Sequence, residues 1–553
     1  MGDGQTRSRQ AHIHRGIVSR SELVFARIVA DLAEREPDRL VHVFERGPGL
    51  SESISAGELA LHANQIAARL RADGVRRGDR VAIQMRNHPE FVYSLVALSK
   101  LGGVAVPLDP RAVGDQLRFY LERVGCRAAI VADYVMAEPQ AADPIGAAGV
   151  AAYSVRTPEG VEAGVRAAGH PSLTEVLDGP ELPDVGDDVD SERDVWIIQY
   201  TSGTTGAPKP IVMRYLTLAH YRQIGPACGY RHDDVPYTGL PLVHGNARGL
   251  TMFPALFAQV DHSVFSRWFT ASRHWEVCSE HGATTWSNLG GIATAIYAQP
   301  PSPADRAHRV RLVVSAGIPP ALREPFAERF GVQIQENYGT SEIGVLAVRP
   351  PGQGPSGSVG RPLGDREIGI LDPEGRPLPP GQTGEIAVRA LDDRSQLEYW
   401  GDPAASAEKL RHDWLLTGDH GWRDDGGWLF FSHRDEEGGI RKLGDFVPVE
   451  TIVRVIAEMP EVRDVCVYGI AAASGAPGEK QVVAAVVPQD ATSFDPAVVY
   501  ERCVARLKRS AMPDLLQVVE DLPTTPTQKV QTRVLEQLLT DRPEASYRRP
   551  APR

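Results

Sequence analysis

Apolar residues return every third or fourth position between Ala56 and Asp73, at Leu59, Ala60, Ala63, Ile66, Ala67 and Leu70. That spacing predicts an amphipathic helix, and Gly74 follows where a left-handed residue ends one. Short apolar runs come next. Val81 to Met85, Val104 to Leu108 and Ala128 to Ala132 predict strands, separated by helical stretches of which the first opens at Pro89. Such alternation predicts βαβ units and a mostly parallel sheet covered by helices. An acidic, loop-like stretch from Pro183 to Asp194 leads into a strand at Val195 to Tyr200, with a second α/β lobe expected beyond it. Glycine and proline crowd the chain from Pro350 to Pro380, and Gly384 to Ala390 reads as a strand of a smaller β-rich region. After Arg434 the pattern starts afresh: helix (Val449 to Glu458), strand (Val465 to Gly469), strand (Gln481 to Val487), helix (Pro496 to Arg509). That is a compact α+β unit of its own.

The expected fold is α/β, a large N-terminal region of two α/β lobes plus a small β-rich subdomain, followed by a small α+β C-terminal domain. The boundaries fall at 21–434 for the large region and 435–540 for the small one, with polar or Pro/Arg-rich ends, 1–20 and 541–553, expected to be mobile. A chain of 553 residues exceeds one ordinary core, which agrees with this division. Its net charge of -12 provides no basic field for gripping a phosphate backbone, so nucleic acid is not an expected partner. The five cysteines, Cys126, Cys228, Cys278, Cys466 and Cys503, lack CxxC or metal-ligand spacing and read as buried free thiols. With no apolar core of a signal peptide and no run long enough to span a bilayer, a cytoplasmic location is expected. Oligomeric state is left open, a homo-oligomer included.

One segment carries candidate chemistry. Thr201, Ser202, Gly203, Thr204, Thr205, Gly206, Ala207, Pro208 and Lys209 follow the strand at Val195 to Tyr200. Glycine lets backbone N–H groups approach phosphate oxygens, hydroxyls donate further bonds, and an ammonium balances charge. The spacing is not that of a Walker A loop, and by composition alone such a run is more often a plain surface loop than a nucleotide site.

The segment YTSGTTGAPK resembles the signature loop of the adenylate-forming superfamily of acyl-CoA synthetases, carrier-loading adenylation domains and firefly-type luciferases. Other motifs of that superfamily follow in order: LSKLGGVAVPLDPR (Leu98 to Arg111), PLVHGNARG (Pro241 to Gly249), SAGIP (Ser315 to Pro319), NYGTSE (Asn337 to Glu342), TGDHGW (Thr417 to Trp422), RKLGDFVPVE (Arg441 to Glu450) and PTTPTQK (Pro523 to Lys529). The stretch from Phe269 to Pro319 is most similar to the carnitine/crotonobetaine-CoA ligase branch.

The resemblance implies ATP and Mg²⁺, with CoA as co-substrate, and a small carboxylic acid activated as its acyl-adenylate. It assigns Thr201, Ser202, Gly203, Thr204, Thr205, Gly206 and Lys209 to the β- and γ-phosphates, and Thr340 and Glu342 to the α-phosphate and the metal. It sets Tyr338 against the adenine with Asn337 at its edge, Gly339 beside them, and Ser315, Ala316 and Gly317 closing the pocket. Asp419 and Arg434 match the groups that bond the ribose hydroxyls. Lys529, delivered by a mobile C-terminal domain, would bridge the carboxylate and the α-phosphate, although Gln528 stands where many relatives have glycine. His244 matches a residue that gates the acyl pocket or positions the carboxylate. Trp286, Ser287, Asn288, Gly290 and Gly291 are expected to line that pocket, and Gly444 the tunnel for the thiol. Between Arg434 and Gly444 the chain departs from its relatives, with acids and a glycine pair where they carry basic residues; Glu436 and Glu437 are the nearest hinge candidates. That departure touches only the second half-reaction. It therefore leaves open an acceptor other than CoA, such as a carrier-protein thiol, an amine or a nitrite-derived nucleophile. A silent nucleotide-binding scaffold is the reading from another class, and Lys529, Glu342 and Asp419 argue against it.

Overall fold

The computed structural model describes residues 23–162, 169–187, 189–201, 208–318, 320–364, 366–389, 397–434, 440–442, 445–447, 449–472, 480–508, 511–523, 530 and 532–548. The helix expected near its start runs Ala56–Ala72. It begins where Ser55 and Glu58 exchange side-chain-to-backbone hydrogen bonds, satisfying two amides that a helix end leaves bare. It buries Leu59, Ala63, Ile66, Ala67 and Leu70 and ends before Gly74, whose φ is +91°.

Among the described residues the strands form two large sheets, two smaller ones and a two-stranded ribbon. β1 (Leu40–Gly47) and β2 (Leu50–Ser55) make a hairpin; β3 (Arg80–Gln84), β4 (Val104–Leu108), β5 (Ala128–Ala132), β6 (Ala151–Val155), β7 (Val195–Tyr200) and β8 (Pro210–Arg214) form one sheet in the order β6-β5-β3-β4-β7-β8. All its pairings are parallel except β7 with β8. Every residue of β4 and β5 is buried, as the continuous apolar runs demand of strands covered on both faces.

Next come β9 (Pro236–Thr238), β10 (Ser263–Ser266), β11 (Thr285–Leu289), β12 (Leu312–Ala316), β13 (Gln333–Thr340), β14 (Gly344–Arg349) and β15 (Arg361–Pro362). With β1 and β2 they build the sheet β15-β14-β13-β12-β11-β9-β10-β1-β2, parallel from β13 to β1. The β-rich region is an antiparallel sheet of β16 (Ile368–Leu371), β17 (Gly384–Arg389), β18 (Leu410–Arg411), β19 (Trp414–Arg423) and β20 (Leu429–Arg434). Beyond a short ribbon, β21 (Ile440–Lys442) with β22 (Asp445–Val447), β23 (Val462–Ala471), β24 (Lys480–Pro488), β25 (Leu515–Val518) and β26 (Ser546–Arg548) form the C-terminal sheet. Helices Val449–Ala457 and Pro496–Arg506 pack on it, joining Val455, Ile456, Val499 and Cys503 to Val482, Ala484 and Val486. The architecture is thus mixed α/β with a small α+β unit at the end. Four of the five cysteines are buried, Cys466 is half-buried, and all five thiols are free. Among the described residues no helix is long and apolar enough to cross a membrane.

On β13, Glu336 is fully buried and stands opposite Arg349 in the register with β14. Arg323 Nε lies 2.9 Å from its Oε1. The two arginines favour the ionised carboxylate and burial favours the neutral acid; burial wins and pushes the group up to about 7. The folded chain therefore binds more protons than the unfolded one between the usual carboxylate range and pH 7, so stability falls as pH rises through that window. Glu336→Gln is expected to remove this dependence, on the order of 2 kcal/mol. Melting temperatures of both proteins at pH 5 and pH 7.5 check it, the wild type losing more on the rise in pH.

Candidate functional site

The carboxyl ends of β7, β11, β12 and β13 carry the polar groups, as is usual where parallel strands hand over to loops. At the end of β7 the base of the signature loop is pinned: Thr201 N–H donates to the Lys209 carbonyl (2.9 Å), and Lys209 N–H donates to Thr201 Oγ1 (3.0 Å). Ser202, Gly203, Thr204, Thr205 and Gly206 lie outside the described residues. The Lys209 ammonium sits 5.2 Å from the centre of the Tyr399 ring, an attractive placement for a cation over an aromatic face. The Tyr399 hydroxyl in turn lies 3.4 Å from Glu342 Oε1. One buried tyrosine thus stands between the lysine and the acid expected at opposite ends of the triphosphate. Sequence reading missed Tyr399, because in LEYWGDPAAS nothing local marks it; its role appears only when the chain brings it beside Ile211 in an isolated bridge.

The nucleotide wall is built from the next three strand ends. Asn288 Nδ2 donates to Ser315 Oγ (3.1 Å), tying β11 to β12. Asn288 Oδ1, Asn337 Nδ2 and Thr340 Oγ1 are buried with no partner among the described residues. Buried polar atoms are seldom left so, and a donor, an acceptor and a hydroxyl at adjoining strand ends suit the edge of a base and the oxygens of a phosphate. Gly317, just after Ala316, takes φ +84°, the left-handed turn by which the chain leaves β12. At Gly339 a Cβ would collide with the Gly344 carbonyl, so the bend between Tyr338 and Thr340 requires glycine. Tyr338 donates to Asp419 Oδ2 (2.8 Å), and Asp419 is buried. Asp419 and Arg434 are direct partners in the β19–β20 register, so both residues expected at the ribose share one rung.

His244 precedes the short helix Gly245–Ala247, which passes into a π-helical turn, Arg248–Met252. Such turns recur at functional sites. Asn87 holds the approach from one side, accepting from Leu242 N–H (2.7 Å) and donating to the carbonyls of Leu240 and Ser266, 2.9 Å each. Ser287 Oγ lies 3.0 Å from Thr251 Oγ1, so β11 and the π turn meet on one face. Trp286, its neighbour on the strand, faces the other way. Its ring packs among His274, Trp275 and Phe326 in the core and is 1% exposed. The expectation that Trp286 lines the acid's pocket is corrected accordingly: a large apolar ring gains more by filling that core. Gly290 and Gly291 open the helix Gly290–Tyr297 directly after β11.

Lys529, Gly444 and the hinge candidates Glu436 and Glu437 lie outside the described residues. No cluster of three or more His, Cys, Asp or Glu able to hold a metal occurs among the described residues. The carboxylate expected from the sequence is Glu342, an oxygen donor of the kind that suits a hard ion shared with phosphate oxygens.

The family model of the AMP-binding enzyme matches residues 29–391, and that of the AMP-binding enzyme C-terminal domain matches residues 453–529. The chain is 27% identical over 512 residues to crotonobetaine/carnitine–CoA ligase of Salmonella typhimurium strain LT2, covering 90% of this chain and 96% of that one. Among solved structures, amide bond synthetase McbA from Marinactinospora thermotolerans matches with a TM-score of 0.78 at 24% identity, covering 93% of this chain and 99% of that one. ATP-bound MatB from Rhodopseudomonas palustris matches with a TM-score of 0.65 at 25% identity over the same shares. With a family model spanning well over half its length and the matching C-terminal domain behind it, the chain belongs to the AMP-binding enzymes.

Proposed function

We propose that the protein is an adenylate-forming ligase that activates a small carboxylic acid as acyl-AMP with release of pyrophosphate, then transfers the acyl group to CoA. The observation that carries this reading is the end of β13, where the orphaned Asn337 Nδ2 and Thr340 Oγ1 flank the bonded pair Tyr338–Asp419. Base, ribose and α-phosphate each find a group of the right chemistry within a few residues. The name of the Salmonella relative, crotonobetaine/carnitine–CoA ligase, agrees with it.

A carboxylate resists substitution because its leaving group would be an oxide; joining that oxygen to AMP makes it a good one. The acid's oxygen attacks the α-phosphorus and the bond to pyrophosphate breaks. Lys209 balances the charge of the departing phosphates, and Thr340 donates to the α-phosphate oxygens. Magnesium, held by Glu342 and the phosphates, would neutralise charge on the departing group. Lys529 stabilises the charge growing between carboxylate and phosphorus, arriving on the C-terminal domain as that domain turns. In the second step the thiol attacks the mixed anhydride and AMP leaves, with Gly444 lining the thiol's path. The acidic, glycine-paired stretch between Arg434 and Gly444 favours one second reading, the same adenylation with an amine or carrier-protein thiol as acceptor.

The test is incubation with MgATP and acetate, butyrate, benzoate, phenylacetate, malonate or carnitine, with and without CoA. Acid-dependent pyrophosphate release, followed by AMP and thioester only when CoA is present, is the expected result. Pyrophosphate release without thioester at any CoA concentration selects the second reading, and no acid-dependent release across the panel overturns adenylation. Lys529→Ala is expected to slow pyrophosphate release by roughly a hundredfold while still binding AMP. Tyr399→Phe removes a hydrogen bond to Glu342 but keeps the ring under Lys209. It is expected to change the Mg²⁺ dependence of ATP binding by about threefold, read by calorimetry, with metal-free ATP affinity unaltered.

A further inference from the structure

Arg248 is fully buried at the start of the π-helical turn, four residues after His244. Its Nη1 donates to the carbonyls of Leu242 (2.7 Å) and Val243 (2.8 Å), and its Nη2 donates to Oε1 of Gln199. Gln199 lies on β7, two residues before Thr201. One guanidinium therefore clasps the strand that enters the phosphate loop to the turn that carries His244. The clasp lies close behind that turn, since a Cβ added at Gly245 would stand 3.7 Å from Gln199 Oε1.

The acceptors are all neutral. Among the described residues no carboxylate pairs with Arg248, the phenol of Tyr221 being the group that acts on its charge, and its Nε is buried without an acceptor. Removing a guanidinium from water costs several kcal/mol when no anion compensates it. A clasp needed only for shape could be made from a neutral amide, so the charge asks for a reason. Beside a pocket that must attract one carboxylate to another anion, a fixed positive charge in a poorly screened wall has an evident use.

We propose that Arg248 is a positioning residue for adenylation, which locks the phosphate-loop strand to the His244 turn and whose uncompensated charge draws the acid's carboxylate to that wall. This rests on the adenylation reading above. The planar fork provides the geometry, reaching three acceptors at once, and the permanent charge provides the attraction.

Three variants separate the two roles, read by acid-dependent ATP–pyrophosphate exchange with whichever acid of the panel drives it fastest, and by adenosine binding in calorimetry. Gln199→Glu keeps the clasp's shape while giving Arg248 a carboxylate, so it neutralises the charge alone. The acid's KM is expected to rise at least tenfold, with kcat and the affinity for uncharged adenosine within about twofold of wild type. Arg248→Lys keeps charge without the fork and is expected to lower kcat more than it raises KM. Arg248→Met loses both, and exchange is expected to fall at least a hundredfold in kcat/KM with adenosine still bound. A Gln199→Glu protein whose acid KM stays within twofold of wild type overturns the proposal, and it remains decisive if Arg248→Met fails to fold. Wild-type protein that exchanges with no acid overturns the adenylation reading itself, and this inference with it.

Discussion

The buried hydrogen bond from Tyr338 to Asp419 joins two sheets that share no strand, the long one that ends in β13 and the antiparallel one that contains β19. Tyr338 packs with Leu346, Ile368, Ile386 and Val388, so its ring belongs to the apolar seam between the sheets while its hydroxyl reaches the acid. Around that bond the site takes its form. Asn337 and Thr340 stand on either side of it on the same strand, and Arg434 is opposite Asp419 on the next. Breaking the bond would leave a buried carboxylate short of a donor, a cost of several kcal/mol in a poorly hydrated place. The same rigidity holds the neighbouring unpaired atoms in position for a ligand rather than letting them turn to each other.

The sequence made much of this architecture legible. β4, β5 and β7 run over the residues that their apolar patterns predict, because strands covered on both faces admit little else. Helix Ala56–Ala72 was equally plain from its apolar spacing and the glycine that follows it. The candidate site residues stood out for a different reason: Asp419, Tyr338 and Thr340 stand in motifs whose order along the chain resembles a known superfamily. Trp286 shows the limit of that route. A motif places the strand but not the face, and only the packing of His274, Trp275 and Phe326 decides which way the ring points. Tyr399 and Arg248 were illegible because their partners are distant in sequence: Glu342 lies 57 residues from Tyr399, and Gln199 lies 49 from Arg248.

Charge is distributed with the same economy. The chain as a whole is acidic, at -12, which on its own would repel both ATP and a carboxylate at long range. Salt screens that repulsion within about 8–10 Å, so what decides binding is the local set of cations. Lys209 is kept at the base of the phosphate loop against an aromatic face, and among the described residues it can leave without breaking an ion pair. Had it been paired with Glu342 directly, the ammonium and the carboxylate would each have to break that pair before meeting another partner. The intervening Tyr399 prevents this, since its ring attracts the ammonium weakly and its hydroxyl occupies the carboxylate.

Arg248 meets the same requirement in the opposite environment. Lys209 can be surrendered to a phosphate because it rests on a partly exposed surface, whereas a buried guanidinium cannot move without exposing a void. It is held instead by carbonyls and an amide, which engage both of its Nη groups and leave most of its field intact. Burial makes that field costly and pulls the group below its ordinary range, though an arginine starts so high that it stays protonated. A lysine in its place would carry charge but lose the planar fork that reaches three acceptors at once. Arginine at a site lined by neutral acceptors thus supplies the fork and a permanent charge together, where a neutral amide would supply shape alone.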